Sequence, residues 1–187
     1  MSTSTELYVD DKVVGSGKSL PVRSVGFGSS VTLTRTADTA GYTGNDVIGV
    51  GSGAGLTTPG AAALTFSNIG PEAGEIKLIG ASLTISSDGV ISGETSYRLY
   101  LYNVTPPSAL VDNAAFDLPS GDRAAFLGYI DLGTPLDIGL TLFVQTDTLA
   151  KQLTLASKNL YAYLVTNGPY TPTSGRVYVI TLHSEAR

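Results

Sequence analysis

Glycine and proline break this chain so often that an ordinary helix has nowhere to form. There are 22 Gly and 9 Pro among 187 residues, and the segments between them are short and alternate in polarity every second residue. That period puts successive side chains on opposite faces of a strand. The clearest case is TSYRLYLYNVT, Thr95 to Thr105. Tyr97, Leu99 and Leu101 share one parity, Arg98, Tyr100, Tyr102 and Val104 the other, and Pro106 and Pro107 close the run. The leucines belong in a core. The face bearing tyrosines and an arginine belongs against another protein surface or a loop, because tyrosine covers apolar area while keeping its hydroxyl bonded.

The same period recurs along the chain. Strands are expected at Val31 to Arg35, Val47-Ile48, Leu64 to Ser67, Glu75 to Ser86, Phe126 to Leu132, Leu140 to Thr146, Leu160 to Thr166 and Arg176 to His183, with a short one around Leu153 and Leu155. Within Glu75 to Ser86 the apolar parity changes. Ile76 and Leu78 lie on one phase and Ile79, Ala81, Leu83 and Ile85 on the other, so a β-bulge is expected near Leu78-Ile79-Gly80. Ser108 to Arg123 carries no regular period, and Asp112-Asn113 and Pro119 to Asp122 interrupt its apolar residues, which predicts a long packing or functional loop. Eight to ten short strands predict an all-β fold, an antiparallel two-sheet sandwich of jelly-roll type, with an immunoglobulin-like sandwich as the other topology. Its length suits one core, so residues 31–187 are expected to form the body.

Residues 1–30 differ in character. Leu7, Tyr8, Val9, Val13 and Val14 form apolar islands between Asp10-Asp11-Lys12 and a Gly/Ser stretch, a pattern expected of an extended arm that orders against a neighbour or adds a first strand to the sheet. With Arg98, Tyr100 and Tyr102 they are the candidate protein-contact residues.

Chemistry finds few residues to use. Without cysteine there are no thiolate metal sites or disulfides, and His183 is the single histidine, expected to be a surface or interface residue. Gly17-Lys18-Ser19 lacks the first glycine of a phosphate-binding loop, since that position is Lys12. Gly49 to Ala54 satisfies a dinucleotide-type glycine pattern, but Thr58-Pro59-Gly60 cannot continue into the helix it needs. Asp112, Asp117 and Asp122 are expected to be solvated loop charges, since their spacing matches no calcium loop. A net charge of −5 with 11 scattered Lys and Arg argues against a nucleic-acid partner, and no run approaches the length of a membrane span. No catalytic, cofactor or metal residue is expected, and a chain with no visible secretory signal is expected to be made in a cytoplasm.

Four segments, TLTRTADTAGYTGNDVIG (Thr32 to Gly49), TSYRLYLYNVTPPSAL (Thr95 to Leu110), DNAAFDLPSGDRAAFLGYIDLGTP (Asp112 to Pro135) and LVTNGPYTPTSG (Leu164 to Gly175), together resemble virion structural proteins of tailed bacteriophages, of the capsid decoration or cement kind. The resemblance covers the chain from about Val31 onward. It implies a non-enzymatic protein on the outside of a phage head, an oligomer and often a trimer, bridging neighbouring major capsid proteins. The other functional expectation is a receptor- or glycan-binding module of a head or tail fibre. That reading requires an exposed aromatic platform, for which Tyr161, Tyr163, Tyr170 and Tyr178 are the candidates.

Overall fold

The computed structural model describes residues 25–50 apart from 36 and 38, residues 63–187, and the backbone of a two-stranded pair formed by β1 (Tyr8–Val9) and β2 (Lys12–Val13). Leu7 and Val14 lie outside the described residues, as do the side chains of Tyr8, Val9 and Val13 and most of the Gly49 to Gly60 stretch. Where alternation is strongest, strands form: β3 (Gly26–Thr34), β4 (Val47–Ile48), β5 (Leu64–Phe66), β6 (Glu75–Ser86), β7 (Tyr97–Tyr102), β8 (Phe126–Gly133), β9 (Leu136–Asp137), β10 (Thr141–Thr146), β11 (Lys151–Thr154), β12 (Leu160–Thr166) and β13 (Val177–Ala186). No α-helix occurs among the described residues, and Ser120–Asp122 makes a single 3-10 turn.

The strands pair antiparallel into two sheets. One is ordered β3-β13-β6-β10-β9, with β11 continuing the β10 edge of β6; the other is β4-β12-β7-β8, with β5 beside β4 on the same edge of β12. The chain crosses between sheets at β3–β4, β5–β6, β6–β7, β8–β9, β11–β12 and β12–β13, and stays within one sheet at β4–β5, β7–β8, β9–β10 and β10–β11. That order is a jelly roll, and the immunoglobulin-like alternative is set aside. β3 enters the sheet at Gly26, ahead of the Val31 at which the sequence places the start of the body.

Between the sheets lies one apolar core to which both contribute, including Leu83, Ile85 and Ile180 from the first and Leu99, Leu101 and Leu164 from the second. The parity change in β6 has the expected cause. Ser184 pairs with Leu78 and His183 with Gly80, so Ile79 is the extra residue of a bulge. The correction concerns Ile79 itself, which is half-exposed rather than in line with Ala81, Leu83 and Ile85, because the bulge leaves it out of the ladder. Ile76 and Leu78 before the bulge and Ala81, Leu83 and Ile85 after it all reach the core.

Candidate functional site

At the end of the sandwich where β3 finishes and β13 begins, four connections meet around buried charge. Arg35 follows β3 and Arg176 precedes β13, and the Arg35 amide donates to the Arg176 carbonyl at 2.9 Å. The Arg35 Nη2 lies 3.3 Å from Asp112 Oδ2, and neither side chain is solvent-exposed. Tyr42 joins them, its hydroxyl accepting from Arg35 Nε and donating to Asp112 Oδ1 at 2.6 Å, while the Gly49 amide donates to the same oxygen at 2.9 Å. Arg176 grips Glu94 with both arms, Nη1 to Oε1 at 3.0 Å and Nη2 to Oε2 at 3.1 Å. Glu94 also accepts from the Ile91 amide and the Tyr97 hydroxyl.

Tyrosines bind the two pairs into one cluster. The Tyr170 and Tyr178 hydroxyls are 2.9 Å apart, and the Tyr42 and Tyr170 rings lie 5.2 Å apart. Burial, as the largest cause, pushes the phenols of Tyr42, Tyr97, Tyr170 and Tyr178 above their ordinary range, so they stay neutral and bond through their protons. The loops come close enough to exclude side chains. Gly93 has φ +89°, and a Cβ there would sit 1.9 Å from the Pro169 carbonyl oxygen. This cluster joins the β3–β4, β6–β7, β7–β8 and β12–β13 connections, and its charged groups are covered. Its bonds tie these connections together at one end of the sandwich.

The outward face of β7 is covered by the chain itself. Residues 103–125 fold back over the second sheet, and Tyr100 stacks on Phe116 with ring centroids 3.7 Å apart. Tyr102 meets Tyr163 edge-on, and the Tyr163 hydroxyl donates to the Ser108 carbonyl at 2.9 Å. Tyr100 and Tyr102 therefore pack in a second apolar cluster under this loop, with Leu110 and Leu118 against it. Of the three outward candidates on β7, Arg98 alone stays at the surface, paired to Asp131 at 2.8 Å with their side chains 28% and 58% exposed and its guanidinium 4.3 Å from the Tyr129 ring centroid.

Two of the loop aspartates are not solvated. Asp112 is held by Arg35 and Tyr42, and Asp122 accepts from the Ser108 amide and hydroxyl at 3.1 and 2.9 Å, so both are buried. Asp117 is exposed. Among the described residues no group of three or more His, Asp or Glu is placed to hold a metal ion. The expected aromatic platform does not form either: Tyr163, Tyr170 and Tyr178 are buried and Tyr161 is half-buried.

The outward face of the first sheet is different. His183 stands exposed on it. Beside it, the β9–β10 hairpin carries three large aliphatic side chains in the open: Leu136 at 65%, Ile138 at 59% and Leu140 at 79% exposure. These were not among the sequence candidates. Their shared parity across Pro135 to Leu140 is the signal that points to them, and it is hidden by their lying at a turn rather than within a long strand.

No family model matches this chain, and no curated protein does. Among solved structures it is similar to the acidic stable capsid structure of Helicobacter pylori bacteriophage KHP30, at 14% identity and a TM-score of 0.31, over 88% of this chain and 90% of that one. It is also similar to the Israel acute paralysis virus pentamer, at 12% identity and a TM-score of 0.23, over 85% and 88% respectively. At such TM-scores neither similarity carries an argument about this chain.

Proposed function

We propose that the protein is a virion structural protein of decoration type, a self-associating β-sandwich that binds the outer surface of a phage capsid and bridges neighbouring major capsid proteins. It acts by contact and turns nothing over. The observation that supports this reading most is the use made of the buried charge: both Arg–carboxylate pairs fasten connections to one another and leave a stiff body whose first sheet presents two outward rows free of ionisable side chains. A rigid surface loses little conformational freedom on docking, and many copies on a lattice turn modest single contacts into firm attachment. The resemblance of the four sequence segments to decoration proteins points in the same direction and implies a trimer on the capsid exterior. The N-terminal segment with Leu7, Tyr8, Val9, Val13 and Val14 is the arm that reaches the shell.

Imaging of the particle that carries this chain tests the reading, together with a deletion of residues 1–20. Density on the head lattice is expected, lost on deletion while the circular dichroism of the body is unchanged. Density on the tail, or on no part of the particle, refutes it.

A further inference from the structure

We infer that copies of this chain associate through the outward face of the six-stranded sheet, with the β9–β10 hairpin as its apolar rim. This rests on the self-association proposed above and names the surface that carries it. One cross-strand row of that face runs Thr32, Val179, Thr84, Phe143, Leu136, and the next runs Ser30, Thr181, Ser82, Gln145. Neither row contains an ionisable side chain. Next to the second row stand the exposed His183 and the exposed Asp147, whose carboxylate accepts from the Gln145 side chain at 2.7 and 2.9 Å, and Glu185 pairs with Lys77 further along the sheet.

Each copy carries a net charge of −5, so two copies repel wherever carboxylates are brought together. The two rows themselves bring no carboxylate to the contact, and the Asp147 carboxylate at their edge lies beside His183, both flanking Gly80. Two of its hydroxyls bond each other, the Ser30 and Thr181 side chains lying 2.7 Å apart, so covering that pair strands fewer polar groups. Five strands spaced ~4.8 Å apart make a face on the order of 500 Å². With Leu136, Ile138 and Leu140 added, this approaches the ~800 Å² per partner of a standard interface. The corresponding face of the other sheet is already occupied by residues 103–125 of the same chain.

Sedimentation velocity on the full chain over a concentration series tests the assignment. The unaltered protein is expected to sediment as a multiple of 19.3 kDa. Val179→Glu with Leu136→Glu, both outside the core, is expected to weaken association by roughly a hundredfold or more, because each copy then brings carboxylates to the contact. Tyr129→Glu, on the edge strand β8 of the other sheet, leaves association unchanged. If the double variant does not fold, Ile138→Asp with Leu140→Asp carries the same test from the hairpin turn. An unaltered protein that is monomeric throughout overturns self-association and the surface with it. An oligomer that the face variants leave intact, or that Tyr129→Glu disrupts equally, overturns the surface alone.

Discussion

Replacing Glu94 by alanine removes the acceptor that holds the fixed end of the sandwich together. Arg176 would keep its charge in a fully covered site, the Ile91 amide would lose its side-chain acceptor, and the Tyr97 hydroxyl would keep only the Tyr170 hydroxyl at 3.4 Å. Removing one member of a buried pair costs about 3–5 kcal/mol, and each stranded donor adds about 1–3 kcal/mol where water cannot reach it. Relaxation of the loops offsets part of this, so a net loss of about 4 kcal/mol is expected, a large share of the ~5–15 kcal/mol that domains possess. Arg176→Met combined with Glu94→Leu removes both charges together and should be no more than about 2 kcal/mol below the unaltered protein. Urea unfolding followed by circular dichroism measures all three, and Arg98→Ala supplies the contrast. Its pair with Asp131 is exposed to solvent, so its loss costs at most ~1 kcal/mol. A Glu94→Ala cost below about 1 kcal/mol, or a double variant less stable than the single one, would refute the account of this cluster as a stabilising lock.

Alkaline pH attacks the same cluster through its tyrosines. Their folded-state pKa values are raised, whereas in the unfolded chain they ionise near 10, so their contribution is intact below about pH 10 and is lost above it at ~1.4 kcal/mol per pH unit for each phenol. Stability is expected to be flat with respect to these groups from neutral pH to about 9 and then to fall steeply, with phenolate absorbance appearing together with unfolding; early, non-cooperative ionisation of all the tyrosines would contradict it. Gly93→Ala forces a Cβ against the Pro169 carbonyl at a positive φ and should cost about 2–4 kcal/mol, read as a fall in urea midpoint at constant slope. Phe116→Ala removes the ring stacked on Tyr100 and should cost about 2 kcal/mol, with faster amide exchange confined to residues 103–125 if that segment is a cover laid over the sheet.

Most strands, though not β9 or the first half of β3, are legible in the sequence alone because alternation is a local property. Leu99 and Leu101 go inward whatever the rest of the chain does, and the parity change at Leu78-Ile79-Gly80 marks a bulge before any partner strand is known. Glycine and proline spacing sets strand number, and strand number with antiparallel pairing makes a sandwich. What lies on each outward face was decided only by the tertiary fold. The Tyr100 and Tyr102 face reads equally as meeting another protein or a loop, and the polypeptide returning through Phe116 and Leu118 decides for the loop; Leu140 reads as the start of a strand and Leu136 and Ile138 carry no reading, yet all three stand in solvent. Asp112 looks like any loop carboxylate until the fold sets Arg35 and Tyr42 beside it. The reason is physical: a side chain's direction follows from its own backbone, but whether its charge is buried or its ring is covered depends on which distant segment arrives there.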